Sequence, residues 1–154
     1  MEGWLIMTEE QVTKSIMAWL MSNGWKIICF DFPQSGTGRV LHHNSAAGEK
    51  NKDSIIPDIV AVKEDVGLFF ENKDRFYYPD YQKVNDLIVD NQYTIAISTL
   101  LNEYSVKNIY YGIGLPTAKH KKKSQDSAML VDFIIGVEED KAISILHNPQ
   151  CVSF

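Results

Sequence analysis

Apolar residues recur at helical spacing near the start of the chain, and they are Val12, Ile16, Trp19 and Leu20. This spacing predicts an amphipathic helix over residues 8–23. Thr8 and Gln11 fit a capping box at its start, because each side chain can bond to the other residue's backbone. Gly24 follows at a position where helices commonly end.

Short apolar runs separated by turn-forming residues follow this helix and predict strands at 25–30, 55–62, 68–73, 107–112, 129–137 and 142–146. Residues 81–104 are mostly helical by period, with a break near residues 90–91. The order is therefore α-β-β-β-α-β-β, followed by the weaker strand at 142–146. We expect an α/β (α+β) fold in which helices flank a mixed central β-sheet, built as a single domain over residues 1–154.

Two polar segments interrupt this pattern. Residues 33–54 are rich in turn formers and polar groups, and they predict a long insertion loop. Residues 114–127 predict a basic loop, because four lysines fall within residues 119–123. Long polar loops in small domains are usually functional or mobile.

Composition narrows the class of protein. The chain is 154 residues long and 45% hydrophobic, which is typical of a globular domain rather than a disordered one. We expect no membrane association, because no apolar run approaches the roughly 18 residues of a spanning helix. Two cysteines and the absence of a secretory pattern favour a reducing, cytoplasmic setting. A net charge of −5 argues against coating nucleic acid by bulk charge but permits local basic patches.

Candidate chemistry lies in the middle pair of strands. If Val62 pairs with Gly67, then Asp58 lies directly opposite Glu71. Because side chains alternate along a strand, Lys73 shares the face of these two acids. The neighbouring residues are almost all apolar, so charges here are costly unless a metal ion or a substrate uses them.

This arrangement predicts a divalent cation site. Two opposed carboxylates repel each other, and a bound cation removes that penalty. Oxygen ligands from Asp58, Glu71 and the Asn72 carbonyl would suit Mg²⁺, while Lys73 would orient or deprotonate an attacking water or stabilise charge on a phosphate. The alternative is an ordinary ion-pair cluster on an edge strand.

Pro57-Asp58 and Glu71-Asn72-Lys73 resemble the PD-(D/E)XK nuclease superfamily, and especially its archaeal Holliday-junction resolvase branch. The resemblance implies a restriction-endonuclease-like core of four mixed strands and Mg²⁺ dependence, with Mn²⁺ able to substitute. Asp58 and Glu71 would be metal ligands, and Lys73 would orient the water. One acid of the first helix would complete the site, and the helical wheel favours Glu9 over Glu10. Acids in a first helical turn also simply complement the helix dipole.

Further residues are candidates for contact with nucleic acid. The resemblance implies that Ser35 corresponds to the loop serine of the resolvase branch and Gln82 to its helix glutamine. Arg39 is one of only two arginines, and arginine is the commonest reader of guanine. The lysines of the basic loop would contact phosphates, and they are Lys119, Lys121, Lys122 and Lys123. The alternatives are an ordinary turn for Ser35 and a solvated face for the lysines.

The leading hypothesis is a Mg²⁺-dependent DNA endonuclease of restriction or defence type, which hydrolyses phosphodiester bonds with a metal-activated water. A structure-specific resolvase is the first alternative, and a non-catalytic DNA-binding subunit that retains the fold is the second. An enzyme acting on RNA or small nucleotides is a third. Because one site cuts one strand, cleavage of both strands of a duplex favours a homodimer. The sequence leaves open whether a partner subunit supplies specificity.

Overall fold

The computed structural model describes residues 6–44 and 54–154. The helices are α1 (Glu9–Ser22), α2 (Tyr78–Asp90), α3 (Thr94–Leu100) and α4 (Lys121–Asp126), followed by a 3₁₀ turn at Ala128–Leu130. The strands are β1 (Lys26–Phe30), β2 (Ile59–Lys63), β3 (Val66–Asn72), β4 (Asn108–Pro116), β5 (Phe133–Val137) and β6 (Ile143–His147).

The six strands form one mixed sheet in the order β1-β2-β3-β4-β5-β6. The pairs β1/β2, β2/β3 and β5/β6 are antiparallel, whereas β3, β4 and β5 run parallel. Helices flank this sheet, so the chain has an α+β fold. Because β3 and β4 are parallel and in contact, their carboxyl ends meet at one edge of the sheet.

Helix α1 covers one face of the sheet, and both halves of the predicted capping box are present at its start. Val12, Ile16 and Leu20 of its apolar stripe are fully buried in one core cluster with Phe70 and Phe133, and the partly buried Trp19 packs against this cluster. Each large apolar side chain buried in this way contributes roughly 1.5–3 kcal/mol. This packing holds the first turn of α1 near the carboxyl end of β3.

Helices α2 and α3 are associated with the other two core clusters. Tyr81 and Val84 of α2 are buried with Ile113 of β4, and Ile97 of α3 is buried with Phe69 of β3. The predicted break between the two helices is confirmed. Asn91 ends α2 in the left-handed conformation, with φ 51°, which asparagine tolerates better than most residues.

Several predicted elements need correction. The prediction of a basic loop at 114–127 is wrong, because β4 continues to Pro116 and Lys121, Lys122 and Lys123 form the start of α4. The strand predicted at 129–137 starts only at Phe133, because Ala128–Leu130 form a 3₁₀ turn. The sheet has six strands, the same number as the apolar runs predict.

The predicted polar loop at 33–54 lies partly outside the described residues. Its described parts contain no regular helix or strand, and Leu41 and Ile55 form an isolated bridge. No helix in the ranges 6–44 and 54–154 combines the length and apolar character needed to cross a membrane.

Candidate active site

The hairpin of β2 and β3 determines the geometry of the site. Val62 pairs with Gly67, as predicted, and the ladder continues to the pair Ile59 and Phe70. Asp58 directly precedes the paired part of β2, and its N–H donates to the Phe70 carbonyl, one residue before Glu71, at 2.9 Å. The hairpin therefore brings two carboxylates to one end of neighbouring strands.

Lys73 lies among acids from three parts of the fold. Its Nζ is 3.7 Å from Glu71 Oε2 at the end of β3 and 3.8 Å from Glu9 Oε1 at the start of α1. It is 3.9 Å from Asp80 Oδ1 in the first turn of α2. The prediction that Lys73 shares a face with Glu71 is confirmed, and we call these residues together with Asp58 the acidic cluster.

The two acids of the first helix have different surroundings. Glu9 faces Lys73, whereas Glu10 Oε2 forms an exposed ion pair with Lys14 Nζ at 2.6 Å, one turn along α1. The preference of the helical wheel for Glu9 is therefore confirmed as geometry. Glu10 lies outside the acidic cluster, and its catalytic role is not retained.

The surroundings of Asp58 disfavour its charged form. Burial, and then the nearby Glu71 carboxylate, raise the pKa of Asp58 to about 8. A hydrogen bond of 2.6 Å from the Asn72 N–H to Asp58 Oδ2 acts in the opposite direction. A positive ion beside this carboxylate would therefore have a large effect on its charge.

The surroundings of Lys73, in contrast, favour its charged form. Burial alone would lower its pKa, but Asp80 and the other acids of the cluster hold it above the ordinary value. Lys73 is therefore an ammonium ion at neutral pH, which suits the stabilisation of negative charge better than proton abstraction.

Asp80 is the member of the site that the sequence did not predict. It is only 7% exposed, and its Oδ2 is buried without a hydrogen-bond partner. Burial is the main cause that raises its pKa. In the sequence, an acid in the first turn of a helix is indistinguishable from one that complements the helix dipole, so only the packing of α2 beside β3 identifies it.

Asn72 points away from the acidic cluster. Its side chain is buried and donates from Nδ2 to Thr13 Oγ1 of α1 at 3.1 Å. Gly114 leaves room for it, because a Cβ there would lie 2.3 Å from Asn72 Oδ1. The backbone carbonyl of Asn72 therefore remains a predicted metal ligand, whereas its side chain does not.

The side-chain oxygen atoms of the acidic cluster are of the kind that Mg²⁺ prefers as ligands. Asp58 and Glu71 offer hard oxygen atoms, and the unpartnered Oδ2 of Asp80 lies in the same cluster. Among the described residues, no group of three or more His, Cys, Asp or Glu side chains is close enough to hold a metal ion. Mg²⁺ is, however, commonly held by one or two carboxylates and several waters, so a pair of acids suffices.

Ser35 forms a turn beside the site. Its hydroxyl donates to Asp31 Oδ1 at 3.0 Å and accepts from the N–H groups of Phe32 and Thr37. Asp31 in turn donates its N–H to the Asp58 carbonyl at 2.9 Å. These contacts agree with the alternative that Ser35 is an ordinary turn residue. The bond from Asp31 also connects this turn to the backbone of Asp58.

The predicted nucleic-acid residues lie in three places. Arg39 is exposed on the segment before Leu41, and Gln82 is exposed on α2. Lys121, Lys122 and Lys123 are exposed in α4, after Lys119, whose φ of 70° is left-handed.

Helix α4 is nevertheless connected to the site. The Tyr81 hydroxyl of α2 bonds to Ser124 of α4. Burial is the main cause that lowers the pKa of His120, the N-cap of α4, and the charges of Asp74 and Arg75 also act on it. The lysines of α4 therefore flank the segment that follows Lys73.

Comparisons with protein-family models, with curated proteins and with solved structures gave no significant match to this chain. The chemistry of this chain is therefore inferred from the acidic cluster and its surroundings.

Proposed function

We propose that this chain is a metal-dependent phosphodiesterase, and specifically a DNA endonuclease of restriction or defence type. The observation that carries the proposal is the position of Lys73, whose ammonium lies within 3.9 Å of carboxylates from α1, β3 and α2. Asp58 lies at the same end of the hairpin as Glu71, near enough for the Glu71 charge to act on it. A partly buried group of acids around one cation is costly as a purely structural feature.

Each residue has a distinct role in this proposal. Asp58 and Glu71 would hold Mg²⁺, which supplies Lewis-acid activation of the phosphate when bound. Lys73 orients the attacking water and stabilises the extra negative charge of the transition state. Glu9 and Asp80 keep the Lys73 ammonium in place and protonated. The water attacks phosphorus in line with the leaving 3′-oxygen, which leaves 5′-phosphate and 3′-hydroxyl ends.

The surroundings of the site support a polyanionic substrate. The three lysines of α4 are exposed, and Arg75 is exposed directly after the acidic cluster. Tyr77 and Tyr78, at the start of α2, are 53% and 45% exposed. Aromatic residues of the core would be buried instead. Exposed aromatic rings beside cations are typical of surfaces that bind nucleic acid.

The direct test is cleavage of supercoiled plasmid with Mg²⁺. Lys73→Ala and Asp58→Asn should each lower the rate by at least about 100-fold, because the first removes the ammonium ion and the second removes a proposed carboxylate ligand of Mg²⁺. Lys26→Ala is the matched control, since Lys26 lies on β1 at the opposite end of the sheet and its loss should not change the rate. Equal rates for all four proteins would refute the proposal.

The same assay separates the alternatives. Faster cleavage of a four-way junction than of plasmid, whatever the sequence, would replace the restriction type with a resolvase. DNA binding that survives Asp58→Asn and Lys73→Ala, without cleavage by the wild type, would indicate a non-catalytic binding subunit. Cleavage of RNA alone would move the substrate class to RNA. Sedimentation with duplex DNA tests the proposed homodimer.

A further inference from the structure

A cleft of about 440 Å³ lies beside the acidic cluster and was not predicted from the sequence. One wall is α2, from Pro79 to Asp90, and the opposite wall contains His43 and Tyr93. Lys83 belongs to both places, because it lines the cleft while its Nζ is 3.3 Å from Glu71 Oε1. A ligand in the cleft would therefore adjoin the proposed scissile phosphate.

The wall opposite α2 is held in place by Asn44. Its N–H donates to the Gln92 carbonyl at 2.7 Å, and its side chain bonds to Thr94 Oγ1 and to the Ile95 N–H. The rings of His43 and Tyr93 meet edge to face, with centroids 5.5 Å apart. These contacts fix the position of this wall relative to the start of α3.

The lining suits a flat, partly apolar ligand with hydrogen-bonding edges. Ile55 and Leu87 supply apolar surface. The side chains of Asp86 and Asp90 form no hydrogen bond or ion pair with other residues of the ranges 6–44 and 54–154. Two carboxylates would repel a phosphate group, and carboxylates only accept hydrogen bonds, so the ligand must offer donors. Gln82 and Gln92 add amide groups that donate and accept.

We infer that the cleft binds an unpaired nucleobase that carries an exocyclic amino group, such as cytosine. This inference rests on the proposed function and deepens it, because it makes the substrate a single strand or a duplex with one base turned out. Carboxylates accept hydrogen bonds from the cytosine amino group, whereas uracil has a carbonyl at that position. Turning a base out of a duplex costs a few kcal/mol, and this cost is smallest where pairing is already broken.

The test is the binding of 2′-deoxycytidine and 2′-deoxyuridine to the ¹⁵N-labelled protein, followed by amide chemical shifts. Deoxycytidine should shift amides of residues 82–93 saturably and bind about ten-fold more tightly than deoxyuridine. The double variant Asp86→Asn/Asp90→Asn should remove this preference. Asp126→Asn/Asp140→Asn has the same change in charge outside the cleft and should retain it.

Equal binding of both nucleosides, no saturable shift, or shifts elsewhere would overturn the inference. So would saturable shifts at the same amides with putrescine but not with deoxycytidine, because these would indicate a plain cation site. The amide spectrum itself reports whether each variant folds. Nucleoside binding needs no cleavage, so failure of the nuclease proposal and failure of the cleft inference are distinguishable.

Discussion

Glu9 and Glu10 are consecutive acids in the first turn of α1, and they form a natural matched pair. Both complement the helix dipole, but only Glu9 faces Lys73. Glu9→Gln should lower the cleavage rate by about ten-fold or more, as expected when a residue that orients a catalytic group is lost. Glu10→Gln should leave the rate unchanged. Single-turnover cleavage of both variants measures this, and equal effects would assign Glu9 a purely helical role.

Asp58 should make the stability of the protein depend on pH. Its pKa of about 8 in the folded state exceeds the ordinary value of 3.8, so between these pH values the folded state retains a proton that the unfolded state has lost. Without divalent cations, the stabilisation is complete below about pH 4 and is lost as pH rises through 8, by up to about 1.4 kcal/mol per pH unit.

Urea unfolding between pH 5 and pH 8 measures this dependence. Asp58→Asn should remove most of the slope and should unfold at higher urea than the wild type at pH 8. Asp65→Asn changes an aspartate in the turn at the other end of the same hairpin and should keep the wild-type profile. A wild-type stability that rises over this range would contradict the description of Asp58.

Among the elements, the hairpin and α1 were the most predictable from sequence. The register of the hairpin follows from the alternation of its side chains and a short turn, and the capping box is a local pattern. Asp80 was missed because its place beside Lys73 depends on how α2 packs, which no local pattern encodes. The same holds for α4, whose lysines were assigned to a loop because six residues give too weak a periodicity.

Helix α4 should contribute to DNA binding through charge. If Lys121 and Lys123 contact phosphates, Lys121→Gln/Lys123→Gln should weaken binding to all sequences alike and reduce the slope of log affinity against log salt by about 2. Lys26→Gln/Lys107→Gln carries the same change in charge on exposed lysines and should leave the slope unchanged. Fluorescence anisotropy at several salt concentrations measures both. An unchanged slope in the first variant would show that α4 is a solvated face.

For the whole molecule, Mg²⁺ should bind the folded state and raise the Tm by several degrees at about 100-fold excess over Kd. The increase should be larger at pH 8 than at pH 6, because binding must displace the proton of Asp58. Asp58→Asn should lose most of this effect, and NaCl at equal ionic strength should not reproduce it. Chelation by EDTA should abolish cleavage. Equal Tm shifts in the wild type and Asp58→Asn would place the ion elsewhere.

Helix α2 carries Asp80 at its first turn and Asp90 at its last, and these belong to the acidic cluster and the cleft respectively. Ten residues of α-helix separate them by about 15 Å. If the cleft binds a base and the acidic cluster cleaves the strand, α2 fixes the distance between the bound base and the cleaved bond. Every product end should then fall at one constant offset from the recognised base, whatever the surrounding sequence.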